Sequence, residues 1–375
     1  MQYLILFLSI FSFLQCGEFL YPVTHFQQDG TTKIYVIYQK NIAHLELWSV
    51  DIENGLAYKA LMSTYNPAGI KILPDQSGFS FIDNGRIRVK YFNKRSPTNF
   101  EFDYPIYSFH SVDWLNNKLF YFSAKAANRF CIFLCNTDTK STKSLIGREL
   151  CSRTNDDFMY PQIIGGKIFF ISKSVHKLSE SHYETFGNYK IMCTKFDAAK
   201  YEADQKLEVV LRRGEHAMAF LKMISETEGF FLGHPNKVSK HETIIHLKYF
   251  NLKYIDGEWQ YKKLFDFNIP LKFLIKCSDE RLYESILPFL PRHENNKIYY
   301  CSCNSKEDNF TNVFEFDIEN RLSKQLTKST GPNSCFSPLK IGDKLFFGGS
   351  ITEQCKFQID ENDDIKILLP NVVNC

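Results

Sequence analysis

Three stretches of this 375-residue chain gather side chains able to do chemistry. KSVHKLSESHYETFGN carries His176, Glu180, His182 and Glu184, and HPNKVSKHET carries His234, His241 and Glu242. The third, RRGEHAMAF, sets Arg212, Arg213, Glu215 and His216 ahead of an apolar run, and His110 holds a similar place earlier in the chain. Imidazole and carboxylate together are suitable donors for zinc, manganese or a similar ion. No His-x-Glu-x-His spacing occurs, so the metal stays unknown and no cofactor is expected. The plain reading of the two histidine stretches is a solvated loop face that grips a partner. For the arginine stretch, a ligand-facing mouth competes with a satisfied structural cluster.

Motifs that would fix a reaction are missing from the sequence. The nucleophile elbow Gly-x-Ser-x-Gly is absent, and its nearest fragment, GGSIT from Gly348 to Thr352, ends in Thr and falls on an expected strand. P-loop, His-Glu-x-x-His, Gly-x-Gly-x-x-Gly and EF-hand patterns are absent as well. The acidic run Asp360 to Asp364 lacks the alternating spacing of a calcium loop and reads as a solvated hairpin. With 45 basic against 42 acidic residues and no basic block longer than pairs such as Arg212-Arg213, nucleic acid is not expected as a partner.

The elements that must position these groups repeat along the chain. KIYVIY at Lys33, GFSFI at Gly78, KLFYFS at Lys118, KIFFIS at Lys167, GFFLG at Gly229, KIYYCS at Lys297 and KLFFGG at Lys344 are seven copies of one apolar strand, on average about 52 residues apart. Each follows a short segment rich in Pro or Gly and precedes two further β-runs, the last decorated with lysines such as Lys140, Lys143, Lys262, Lys263, Lys324 and Lys328. Lysine on an outermost strand deters another chain from adding to its open edge. The 35 Phe and 20 Tyr suit pleated surfaces. The expectation is therefore an all-β chain, a seven-bladed β-propeller of four-stranded antiparallel blades. Six blades is the alternative, because units four and five are stretched by their insertions. Loops between second and third strands share one side of such a ring, and connectors between blades line a mouth of its axial channel.

Leu73-Pro74-Asp75 with Gly78 and the FSFI that follows, and NRLSKQLTKS from Asn320, make the repeat resemble the TolB and WD40-like β-propeller superfamily. The resemblance covers nearly all of the chain after its first twenty residues and implies a fold, not a function. It departs from the family in lacking the Asp-Gly turn in most units. Another propeller family, the oligogalacturonate lyases, holds a metal on histidines; the likeness to it extends to fold and residue type alone.

The first seventeen residues, with an apolar run from Tyr3 to Leu14 followed by Cys16 and Gly17, look like a signal peptide, and Cys16 offers a possible lipobox. Ten further cysteines suit disulfides in an exported chain, with Cys301, Cys303, Cys335, Cys355 and Cys375 as candidates and buried thiols as the competing reading. The expected organisation is a single propeller over residues 21–370 and a tail over 371–375. The expected role is a monomeric, exported binding scaffold, periplasmic, envelope-attached or secreted, with a protein or carbohydrate partner. The alternative is a metal-assisted polysaccharide lyase or hydrolase.

Overall fold

The computed structural model describes residues 18–28, 30–41, 44–53, 56–62, 68–83, 86–94, 98–100, 106–126, 129–147, 150, 156–174, 176–177, 183–184, 189–213, 216–235, 244–270, 291–303, 311–327, 335–349, 357–359, 365–367 and 371–372. Their regular elements are all strands. The first sheet runs β1 (Glu18–Gln28), β2 (Thr31–Asn41), β3 (His44–Asp51), β4 (Leu56–Met62). The second runs β5 (Ala68–Ile72), β6 (Gly78–Asp83), β7 (Arg86–Tyr91), β8 (Thr98–Phe100), and the third β9 (Ile106–Asn116), β10 (Leu119–Ala126), β11 (Arg129–Asn136), β12 (Thr142–Ile146). The fourth contains β13 (Asp156–Ile164) and β14 (Lys167–Ser174). After them the chain forms a separate two-stranded ladder, β15 (His176–Lys177) with β16 (Tyr183–Glu184). It then completes the fourth sheet with β17 (Tyr189–Asp197), β18 (Glu202–Ala203) and β19 (Glu208–Arg213), both of the last two pairing with β17. The fifth comprises β20 (His216–Met223), β21 (Glu228–Pro235), β22 (Ile244–Ile255), β23 (Glu258–Pro270). The sixth comprises β24 (Arg292–Glu294), β25 (Lys297–Ser302), β26 (Asn312–Asp317), β27 (Leu322–Gln325). The seventh comprises β28 (Cys335–Ile341), β29 (Lys344–Gly349), β30 (Phe357–Ile359), β31 (Ile365–Ile367).

A last strand, β32 (Asn371–Val372), returns to the first sheet and pairs in parallel with β4, Asn371 beside Leu56 and Val372 beside Ala57. These residues, expected to lie in a tail, therefore have a place in a sheet. The arrangement is propeller-like, in antiparallel sheets laid out in chain order, but the blade count differs from expectation. Five sheets are four-stranded, against seven or six expected, and the other two have five strands, one through β32 and one through β18.

Burial explains why these segments are strands. The second and third positions of a sheet have neighbours on both edges and packed sheets on both faces, so six consecutive residues of β11 and six of β14 are buried. Outer strands behave otherwise: β27 is mostly exposed, and so are Lys143 on β12 and Lys324 on β27, as the edge-guarding role requires. The innermost strands carry bulges. Register slips between Met159 and Gln162 in β13 and between Phe336 and Leu339 in β28, at Tyr160-Pro161 and Ser337-Pro338. Proline has no N–H for the ladder, so a bulge is where a strand accommodates it.

Contacts group the chain into two units, Met1–Ile72 with Ile286–Cys375, and Leu73–Ser285. In the first, Ile34, Val36, Trp48 and Val50 pack with Leu339 and Phe346, joining the first and seventh sheets. In the second, one core runs from Leu73 through the third sheet to Phe158, Phe170 and Phe196. Phe120 is its centre, fully buried, with ring centroids of Phe100, Trp114 and Phe122 at 5.4, 5.3 and 5.8 Å. The Trp114 indole N–H donates to Ser80 Oγ at 2.8 Å, so the one polar atom of that ring is satisfied in the interior.

Among the described residues no disulfide is present. Cys301 and Cys303 are buried, Cys335 is placed only by its backbone opposite Gly349, and Cys355 and Cys375 lie outside the described residues. Cys135 and Cys193 are buried free thiols, pushed up to about 11 and about 12 chiefly by desolvation. Two outcomes follow. Phe120→Ala lowers unfolding free energy by about 3–5 kcal/mol, read as a drop in the denaturant midpoint. Cys135 and Cys193 resist alkylation near neutral pH in the folded chain and label fully once it is unfolded, as peptide mass spectrometry reports.

Candidate functional site

Strand polarity decides where the sequence-derived residues meet. In the second unit, β14 leaves the fourth sheet, β17 enters it and β19 leaves it at one and the same end. There, Lys173 lies opposite Tyr189, and Tyr189 opposite Arg213. Two residues later β20 enters the fifth sheet, so its first residue, His216, belongs to this end as well. His216 pairs with Pro235 and Ala217 with His234, which puts His216 and His234 at neighbouring positions on adjacent strands. His176 sits directly opposite Glu184 in the β15–β16 ladder. Arg212 is exposed on β19 opposite Lys190. Loop and connector residues expected on the loop face and at a channel mouth thus share one end of these two sheets. His110, expected in a connector between blades, lies instead within β9, four residues in from its start and opposite Ser123. Glu180, His182, Glu215, His241 and Glu242 lie outside the described residues.

The same end holds an ionic cluster that sequence reasoning missed. Asp156 and Asp157 open β13, Lys173 stands next to the last residue of β14 opposite Asp157, and Arg129 opens β11. The three residues Asp156, Asp157 and Lys173 are 8%, 8% and 4% exposed, which for charges demands compensation. Ser172 Oγ donates to Asp156 Oδ2 at 2.8 Å. The Phe130 N–H donates to Asp157 Oδ1 at 3.1 Å, and Arg129 Nη1 stands 3.9 Å from the same oxygen. Lys173 Nζ lies 5.4 Å from the Tyr189 ring centre, within cation–π range. Burial raises the Asp157 carboxyl above its ordinary value, and the Phe130 N–H and Arg129 only partly oppose it. The available signals were the charged pair in NDDFMYPQII and a lysine near the end of the strand KIFFISKS. Neither is readable without the register that brings them face to face.

At the opposite end of the fourth sheet, a recess of about 80 Å³ is lined by Lys167, Cys193, Thr194, Lys195, Asp204, Lys206 and Glu208. Its principal groups are already engaged. Trp259 Nε1 donates to Glu208 Oε2 at 3.1 Å, Lys167 pairs with Glu226, and Thr194 Oγ1 donates to the carbonyls of Asp204 and Lys206. Among the described residues no three His, Cys, Asp or Glu side chains converge as metal ligands.

No family model matches the chain, and no curated protein sequence does. Solved structures match. Acylaminoacyl peptidase from Pyrococcus horikoshii aligns with a TM-score of 0.54 at 11% identity, over 95% of this chain and 53% of its own. Oligogalacturonate lyase from Vibrio parahaemolyticus aligns with a TM-score of 0.55 at 8% identity, over 92% of each chain. TolB from Acinetobacter baumannii aligns at 0.42 and 11% identity, over 83% of this chain and 63% of its own. The chain folds as a β-propeller. Likeness at these identities is one of fold, and the chain spans about half the length of the peptidase.

The raised Asp157 carboxyl sets a pH dependence. Between its ordinary value of 3.8 and its raised folded value, the folded chain holds a proton that the unfolded chain has released. Stability therefore falls as pH rises through that window. Asp157→Asn removes this dependence, so melting temperatures of the variant change less with pH over that range than those of the wild type.

Proposed function

We propose that the chain is an exported, monomeric propeller acting as a non-catalytic binding scaffold, residues 1–17 being its signal peptide, with Cys16 as a possible lipid attachment point, and the propeller running from β1 to β32. Among the described residues no helix is long and apolar enough to cross a membrane. A protein or carbohydrate partner docks at the end of the fourth and fifth sheets where β14, β19 and β21 leave. One observation carries this reading: β14 and β21, which the two long inserted segments follow in sequence, end on the same side of consecutive sheets as Arg212, Arg213 and His216. Insertions on a rigid strand frame are the usual place for recognition. The buried carboxylates at this end are committed inward, Asp156 to Ser172 and Asp157 to Phe130 and Arg129, which suits holding the strand ends in place better than attacking a substrate.

The second reading, a metal-assisted polysaccharide lyase or hydrolase, draws on the facing of His176 and Glu184 across β15 and β16. One comparison separates the two. Residues 178–182 and 236–243 are replaced by Gly-Ser linkers of equal length, and the replaced and wild-type chains are used as bait in envelope extract and culture medium. A partner retained by the wild type and lost by the replaced chain, at an unchanged unfolding midpoint, is the expected result. Identical recoveries sink the scaffold reading. Stoichiometric zinc or manganese in the purified wild type that disappears in H176A/E184A moves the assignment to the enzyme.

A further inference from the structure

We infer that β32 is a detachable latch which shields the outer edge of the first sheet and ties the end of the chain to its beginning. The inner side of this junction is closed by packing: β1 contacts β28 and β29, and Ile34, Val36, Trp48 and Val50 share a core with Leu339 and Phe346. On the outer side the connection is a backbone pairing. There β31 is the outermost strand of the seventh sheet, and three residues beyond it the chain pairs with β4, the outermost strand of the first. The pairs of the two sheets it joins, β1 with β2, β2 with β3, β3 with β4, β28 with β29, β29 with β30 and β30 with β31, are antiparallel, so this parallel addition stands apart from the repeat that builds them.

The edge it covers needs cover. β4 reads LAYKALM, six apolar residues around one lysine, where β27 reads LSKQ and β12 TKSLI. An apolar outer strand with open N–H and C=O groups is a template for another chain. Pairing at Leu56 and Ala57 occupies the beginning of that edge. Two residues of ladder hold it, so few hydrogen bonds oppose its release and it opens far more readily than the sheet beneath. The valine at 372 and its neighbour at 373 favour extended backbone, and Pro370, which cannot donate to a ladder, stands just before the paired residues.

Hydrogen exchange with peptide-level readout tests the latch on the full chain and on a chain ending at Pro370. The truncated chain is expected to exchange the amides of residues 56–58 about tenfold faster. Residues 119–126 of β10 keep their protection and report that the fold survives. A synthetic peptide of residues 368–375 carrying Cys375→Ser, added in excess, restores slow exchange at 56–58, and sedimentation shows the truncated chain self-associating through the uncovered edge. Unchanged exchange at 56–58 after truncation overturns the inference. So does wild-type protection that rises with protein concentration, since the covering strand would then come from a second copy.

Discussion

A strand with neighbours on both edges and packed sheets on both faces has no side that touches water. That constraint governs the rest of this molecule. β11 and β14 each bury six residues in a row, and Phe120, Phe122, Phe133, Phe158 and Phe170 fill the space between consecutive sheets of the second unit. Each such ring contributes on the order of 2–3 kcal/mol by leaving water. Among the described residues the buried charged ones, Asp51, Asp156, Asp157 and Lys173, sit at strand ends in consequence. Asp156 and Asp157 are the first two residues of β13, Lys173 is the penultimate residue of β14, and Arg129 is the first of β11.

This also determines what could be read from the residues alone. KIFFIS, KLFYFS and KIYYCS announce themselves because doubly buried strands must be apolar throughout, and the lysines of the last strands because an open edge must be guarded. Proline in the first strand of a unit is legible in hindsight as a bulge, at Pro161 and Pro338. The strand count per sheet was not legible. A fifth strand of two residues, such as β18 or β32, carries no periodicity, and its partner is chosen by three-dimensional proximity. For the site, the common end of His176, Glu184, Arg212, Arg213, His216 and His234 follows from antiparallel alternation and was within reach. The cluster beneath it was not, because Arg129, Asp157 and Lys173 come from three strands of two sheets and meet only through the register of β13 on β14 and the packing of β11 on β13.

That cluster carries a cost that the rest of the second unit avoids. Moving an ion out of water costs several kcal/mol even after relaxation, and apolar residues of similar size at the same positions would pack without it. Asp157 recovers part through the Phe130 N–H and Arg129, and its raised carboxyl pKa shows that the recovery is incomplete. What the ions supply that a hydrocarbon would not is direction. The Phe130 N–H belongs to the first turn of register in β11, and only an acceptor at one point on β13 satisfies it. Arg129 adds a second, longer-range restraint on the same oxygen. Together they pin the start of β11 in the third sheet to the start of β13 in the fourth. A greasy contact tolerates sliding along the strand, whereas a buried hydrogen-bonded charge does not, because each displacement leaves a donor or an acceptor unpaired. The end of β14, from which the chain runs on to His176, is therefore held by interactions that tolerate little displacement.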